Sequence, residues 1–492
     1  MTFTQFYTAN DHFVLQPAIM LALFGCAVML FEFLLPPKES QRRAWLLGVT
    51  LAGLAFTAWA LSWQQMAVNS GGHFTAFHGT LVVDGFSMIF NWIFLACSTI
   101  VVLISYRYLE VEGEHHAEYY GLVLLAQCGM FFLATGTDLI TLFVGLELMA
   151  LCFYIMVGFL RNEKRSNEAA LKYLLLGGFS SGFLAFGFSM LYGLSGSTNL
   201  RDIANEIAKR NATDPLTFLA LATTAVGLLF KISAAPFHMW APDVYEGAPT
   251  TITAYLSVGS KAASFAILLR MFLEPLESVR AMWQPLLIAA AILSLTVGNL
   301  AAISQTNIKR LLAYSSISHA GYMLLGLVAG NQTGIKGIFV YLAVYTFMNL
   351  GALLVIVAMR RADILGEDVD DVAGLMHRHP VYAVFMLVFL LSLAGIPPTA
   401  GFLGKYYIFL ALIETGHYYL AVIATLYVAV AIYYYFRIVR SMFVREAGEG
   451  VTAPLAASFG LRLALGVTGV MTLLLGVFPE PLLRFAGDSL MK

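Results

Sequence analysis

Residues 231–242 read Lys231-Ile-Ser-Ala-Ala-Pro236-Phe-His238-Met-Trp240-Ala-Pro242. The chain around them is apolar from 216 to 246, long enough to cross a bilayer, yet the stretch itself carries two prolines. Proline removes a helical donor and clashes with the preceding turn, so the sequence predicts an interrupted span. A second stretch, Ala394-Gly-Ile-Pro397-Pro398-Thr-Ala-Gly401-Phe-Leu-Gly404-Lys405, interrupts 380–414 in the same way. Backbone freed at membrane depth can be satisfied only by protein or enclosed water. Interrupted segments at matching places in two halves of a chain point to a transport site. These two lie about 160 residues apart.

The rest of the chain is the setting for these breaks. Of 492 residues, 59% are hydrophobic and 12% charged, against about 25% charged in soluble proteins. Lipid is therefore the expected solvent. A spanning helix needs roughly 20 apolar residues. Such runs predict spans at 15–35, 44–63, 82–105, 117–134, 138–160, 168–194, 216–246, 250–273, 283–304, 309–329, 333–360, 380–414, 418–443 and 458–478. The class is an all-α polytopic membrane protein of about 14 transmembrane helices. No long polar linker divides it, so 1–492 reads as a single membrane domain. Its parts are three N-terminal helices (1–110), a first repeat (111–275), a second repeat (280–445) and a C-terminal helix (455–492). A small surface helix is expected around Ile203 and Ile207. Residues 1–12 contain no Lys or Arg, so the first apolar run reads as a helix of the mature protein, not a secretory signal.

Several function classes fall away. Net charge is −1, which excludes a large basic surface and a nucleic-acid partner. Cys26, Cys97, Cys128 and Cys152 each stand alone in apolar runs with no C-x-x-C, against iron–sulfur ligation and a disulfide framework. There is no P-loop, dinucleotide fingerprint or His-rich metal motif. Neither cofactor nor metal is expected in the chain. Of the loop Lys and Arg residues, fifteen fall on one side and seven on the other. The richer side should be cytoplasmic, and an even number of spans places both termini on the periplasmic side of a cell inner (plasma) membrane.

An internal repeat is also visible. A shift of 168 residues lays Tyr154-Ile-Met-Val-Gly158 on Tyr322-Met-Leu-Leu-Gly326, and Glu147 on Ser315. With five helices each, spans 4–8 and 9–13 form two units, the second inverted, with helices 7 and 12 broken.

Chemistry sits in charges inside the spans: Glu147, Lys172, Lys231, Lys261 and Lys405. A charge at the bilayer centre costs about 3 kcal/mol on insertion scales and marks function by default. Snorkelling serves only near helix ends, and Arg270 and Arg462 are read that way. Lys261 lies about 16 Å deep at 1.5 Å per residue. A lysine stripped of water can be held neutral and so can carry a proton. Lys172, in the next helix, is the nearest candidate partner of Glu147, although it stands only seven residues from Arg165. Lys405 has a second reading, a lysine bonded to carbonyls freed by the break. His238 and His319 read equally as relays or as satisfied core residues. Asp243 and Glu246 read as solvated loop charges, with proton collection as the minority reading. The acidic run Asp363, Glu367, Asp368, Asp370 and Asp371 reads as a solvated loop, and Tyr433-Tyr-Tyr435 and Trp45 as interfacial belts.

The stretches 230–250 and 309–322 (Lys309-Arg-Leu-Leu-Ala-Tyr-Ser-Ser-Ile-Ser-His319-Ala-Gly-Tyr322) resemble the antiporter-like membrane subunits of respiratory complex I, the bacterial proton-translocating NADH:quinone oxidoreductase. The resemblance covers essentially the whole chain. Lysine at 405, where subunit M of that complex carries glutamate, and an end after about fourteen spans, without the lateral helix of subunit L, narrow it to another member. The resemblance implies a non-redox subunit of a translocase, with Glu147 and Lys172 as the coupling pair. Lys231 and Lys261 are then the input and connecting lysines, and Lys405 the exit lysine. It also implies that NADH, FMN, iron–sulfur clusters and quinone belong to partner subunits, and that subunit M and the small subunit K are neighbours. Ser315 replaces an acid matching Glu147, so one proton path shared by both units is expected. Two readings compete. A Mrp-type cation/proton antiporter would favour clustered carboxylates for Na⁺. An inert scaffold would tolerate leucine in place of a buried lysine.

Overall fold

The computed structural model describes residues 7–34, 39–210, 214–360, 366–446 and 458–490. Lys38, Arg361 and Lys492 of the charge count, and Asp363 of the acidic run, lie outside them. Among the described residues, twelve helical segments are long and apolar enough to cross a membrane. Three N-terminal helices come first: α1 (Ala9–Leu34), α2 (Glu39–Asn69) and α3 (Gly85–Glu112). The stretch expected to form the first unit holds α4 (Ala117–Thr135), α5 (Leu139–Val157), α6 (Lys164–Ser195), the short α7 (Leu200–Ile207), α8 (Pro215–Lys231), α9 (Trp240–Gly247), α10 (Thr250–Tyr255) and α11 (Lys261–Leu273). A π-helical turn, Leu256–Ser260, joins α10 to α11. The stretch expected to form the second unit holds α12 (Arg280–Ile303), α13 (Ile308–Ala329), α14 (Gln332–Met359), the one-turn α15 (Leu375–Arg378), α16 (Pro380–Ala394), α17 (Ala400–Glu414) and α18 (Tyr418–Val444). The chain closes with α19 (Phe459–Val477) and α20 (Glu480–Asp488).

Every expected span overlaps a helix or a helix pair, and both expected interruptions are present, between α8 and α9 and between α16 and α17. Each contains a cis X-Pro bond, Ala235–Pro236 and Pro397–Pro398. Polar side chains start the helices by accepting from free N–H groups. Asp84 caps α3 in a reciprocal pair with Ser87, Asp138 caps α5, Asn307 caps α13 and Asn331 caps α14. In both units the first helix packs along the second, and the third packs on the broken helix. The units meet where α9 lies on α13 and α10 on α14. Large apolar side chains such as Ile140, Leu175, Phe179, Leu426 and Phe459 remain exposed around the outside, as a lipid-facing surface requires.

Several expectations are corrected. A two-stranded hairpin, β1 (Phe74–Ala76) with β2 (Leu81–Val83), precedes α3. Its second strand runs straight into the apolar segment behind it, which is why the expected span 82–105 takes in Val82 and Val83. The terminal α20 was also not expected. Arg270 does not snorkel: it is 1% exposed. Its guanidinium donates to Asp84 Oδ1 at 3.2 Å and to the Ala134 carbonyl at 2.8 Å, and lies 4.5 Å over the Phe86 ring. Asp84 and Ala134 mark the start of α3 and the end of α4, so Arg270 ties the N-terminal helices to the first unit. Glu274, just beyond α11, completes this group at 3.5 Å, and burial pushes its carboxyl above the usual carboxylate range.

The acidic run is not simply a solvated loop. Glu367 is buried and accepts from Lys309 Nζ at 2.9 Å, whereas Asp370 is exposed and pairs with Arg445. Of the tyrosine triplet, Tyr433 is exposed, but Tyr434 and Tyr435 are buried and hydrogen-bonded within the second unit.

Candidate functional site: a row of buried lysines

The first break exists because α8 ends at Lys231 and the chain turns before α9. Its freed groups find protein partners: Trp240 Nε1 donates to the Phe230 carbonyl at 3.0 Å, and the Ala235 N–H to Ser294 Oγ at 2.8 Å. Lys231 is buried at the carbonyl end of α8, where the helix dipole favours a cation. Its Nζ donates to Ser181 Oγ at 3.4 Å, and Ser181 donates onward to Glu147 Oε1 at 2.6 Å. Glu147 is only partly buried, at the edge of the exposed α5 face that includes Val144 and Leu151.

The carboxylate thus faces Lys231, and the expected Glu147–Lys172 pair is not formed. Lys172 lies nine residues before Ser181 on α6, about 13 Å along the helix. Its side chain is 43% exposed and its Nζ binds Asp243 and Glu168, each at 2.8 Å. Asp243 and Glu246 are likewise not free loop charges. Arg310 binds them at 2.7 and 3.0 Å, and Arg165 reaches Glu246 and Glu367. This ionic cluster closes the end of the molecule where the two units meet. Exposed ion pairs are worth about 0–1 kcal/mol. Lys172→Met should therefore slow proton pumping by no more than about fivefold at 1.4 kcal/mol per tenfold in rate, as measured by gradient formation in vesicles.

Lys261 follows directly on the π-helical turn, a feature frequent at functional sites. It is buried; its Nζ donates to the Ser316 carbonyl at 2.7 Å and to Ser316 Oγ. His319, one turn along α13, is also buried. Its Nδ1 lies 2.6 Å from Tyr341 Oη and its Nε2 3.3 Å from Tyr435 Oη. Tyr435 continues to Ser315 Oγ at 2.5 Å. Lys405 donates to the Leu393 and Ala394 carbonyls at 3.1 and 2.7 Å, and its Nζ stands 5.2 Å over the Tyr322 ring. Bonding to freed carbonyls, the second reading of Lys405, is thus its geometry here. Gly395 permits the approach: it adopts φ +85°, and a Cβ there would stand 2.8 Å from Lys405 Cδ. His238 is set apart. It is half-buried at the break beside exposed Pro236 and Met239, its Nδ1 has no partner, and none of its hydrogen bonds reaches these lysines.

Sequence reading missed Ser181, Ser316, Tyr341 and Tyr435. Single hydroxyls in apolar helices usually bond back to their own carbonyls, and only the packing separates those that face a lysine.

The chain matches the family model described as NADH:quinone oxidoreductase/Mrp antiporter, TM, over residues 136–431. It is 69% identical to NADH-quinone oxidoreductase subunit N 2 of Solibacter usitatus (strain Ellin6076), covering 100% of this chain and 99% of that protein. It is 53% identical to subunit N 1 of Koribacter versatilis (strain Ellin345), covering 98% and 96%. A chain of respiratory complex I from Thermus thermophilus superimposes with a TM-score of 0.79 at 34% identity, covering 96% of this chain and 99% of that one. A chain of the Mrp complex from Dietzia sp. DQ12-45-1b shares the fold, with a TM-score of 0.83 at 22% identity, covering 98% and 97%.

Proposed function

We propose, from the premise that the chain belongs to the NADH:quinone oxidoreductase/Mrp antiporter transmembrane family, among the subunit N proteins of NADH-quinone oxidoreductase, that Glu147, Lys231, Lys261, His319 and Lys405 form one proton path through both units. The observation that carries this is the row of buried lysines, each bonded to a hydroxyl or a carbonyl rather than locked to a carboxylate. A lysine held this way can lose its proton and regain it. Ser181 keeps Glu147 one hydroxyl away from Lys231, near enough for the charge of one to set the protonation of the other.

The subunit itself takes no part in redox chemistry on this reading. NADH, FMN, iron–sulfur clusters and quinone sit in partner subunits, and quinone reduction there supplies the drive. Subunits M and K are the neighbours, and the partly exposed Glu147 face is where a signal from one of them arrives. The two breaks cross the membrane as helices 7 and 12 of two inverted units, giving fourteen spans. The end bearing Arg165, Lys309 and Arg310 faces the cytoplasm, and both termini face the periplasm of the inner membrane.

Glu147→Gln tests the reading. Glutamine keeps the size and a bond to Ser181 but cannot carry the charge. Pumping and coupled NADH oxidation should fall together by about tenfold, equivalent to about 1.4 kcal/mol, in assembled complex in inverted vesicles. Unchanged rates with normal assembly would instead support a scaffold.

A further inference from the structure

Between α16 and α19 the outer surface opens into a groove of about 350 Å³. Val381, Val384, Phe385 and Val388 line it from α16, and Gly469 and Leu473 from α19. No polar side chain is among these six, and Val381, Val384 and Leu473 are exposed. Gly469 lies against the Phe385 ring, and Gly476 against the Pro398 carbonyl. These two approaches advance in the same direction along both segments, so α16 and α19 run parallel and begin at the same end of the groove.

That end carries positive charge. Residues 462, 466, 469 and 473 follow the three-and-four spacing of one helix face, so Arg462 stands on the face of α19 that lines the groove. A Cβ at Gly466 would meet nothing within 4 Å, so the surface stays open from Gly469 toward Arg462. Arg462 is exposed, and among the described residues its guanidinium makes no hydrogen bond or ion pair. Arg378 stands at the same end, two residues ahead of Pro380. From Arg462 to Leu473 the helix rises about 16 Å at 1.5 Å per residue. One leaflet of hydrocarbon is about 15 Å deep, half of the roughly 30 Å core. The groove and its arginine therefore match one leaflet in length, with the charge at the headgroup end and the apolar walls reaching toward the midplane.

We propose that this groove binds one anionic phospholipid, with an acyl chain lying between α16 and α19 and the phosphate held by Arg462. A guanidinium presents paired N–H donors that match phosphate oxygens, and an arginine near a helix end carries its charge out to the headgroups. Basic sites between spanning helices at the membrane surface recognise anionic headgroups in this way. A helix of a neighbouring protein seated in the groove would cover the valines but bring nothing for Arg462. A phospholipid supplies both the apolar chain and the anion, at the separation that Leu473 and Arg462 set. The inference is independent of the proton path.

The test uses the assembled complex in vesicles of equal parts phosphatidylglycerol and phosphatidylcholine. A trace of one lipid or the other carries a photoreactive diazirine midway along an acyl chain. After irradiation, peptide mass spectrometry maps the label on this chain, normalised to the label outside the groove. Phosphatidylglycerol should label 381–388 and 466–473 about fivefold more than phosphatidylcholine does. That ratio is about 1 kcal/mol at 1.4 kcal/mol per tenfold, the worth of one basic residue toward anionic lipid. Arg462→Gln should bring the ratio to about one, and Arg462→Lys should keep most of it. Gly466→Leu places a side chain where the backbone has open space, and should lower labelling of the groove by both lipids. Equal labelling by the two lipids in the parent, or a ratio that survives Arg462→Gln, would overturn the proposal and leave ordinary boundary lipid. Parent-level labelling in Gly466→Leu would overturn the seat of the chain in the groove. Absence of label from both lipids in the parent would overturn it in favour of a partner subunit's helix.

Discussion

Lys231→Met will leave the complex assembled and lower proton pumping and NADH oxidation together, by about 100-fold. The size follows from what the lysine supplies. Without an ionisable group at the end of α8, a proton crossing there lacks its carrier, and an unsupported charge at that depth costs about 3 kcal/mol, about two powers of ten in rate. Methionine fills similar volume without charge, so α8 still packs against α6. Glu147 loses the cation that Ser181 links to it, but its partly exposed position spares it the full penalty of a stranded buried charge. Turnover falls with pumping because the two are coupled. Wild-type values of both would remove Lys231 from the path and favour a scaffold.

Arg270→Met should act on stability rather than on transport. It removes the cation paired with Asp84 and frees the Ala134 carbonyl. Breaking one side of a buried ion pair costs about 3–5 kcal/mol, enough to deplete a marginally stable membrane domain. The amount of folded chain in membranes, and the temperature at which the complex dissociates, should both drop. Adding Asp84→Asn should recover part of the loss, because asparagine removes the stranded charge yet still caps α3. Arg270→Lys should fall between, since a lysine cannot hold the carboxylate and the carbonyl with one planar fork. An unchanged dissociation temperature in Arg270→Met would show that the guanidinium is not what ties the N-terminal helices to the first unit.

The positions of the spans and of both breaks were legible because apolar run length and proline placement are local properties. Lys231, Lys261 and Lys405 were legible for the same reason: charge in an apolar run stands out without any knowledge of packing. Their partners were not. In a linear reading Lys172 is the nearest partner of Glu147, and only the packing of α6 on α5 shows that Ser181, about 13 Å along the helix, faces the carboxylate instead. Arg270 near a helix end has the look of a snorkelling residue because nothing in the sequence shows that the hairpin before α3 brings Asp84 against it. Tyr435 looked like a belt residue because a tyrosine near a helix end gives no sign of which way its ring turns.

The π-helical turn Leu256–Ser260 has a consequence best put in terms of phase. One additional residue within a helix rotates everything after it by about 100°. Lys261 and Arg270 both follow that turn on one continuous helix, so their azimuths are set by a single offset. The same offset aims Lys261 at Ser316 in one unit and Arg270 at Asp84 of the N-terminal helices. A chain one residue shorter between Leu256 and Ser260 would mis-aim both at once. The proposed proton path and the anchoring of the N-terminal helices are therefore held in register by the same five residues.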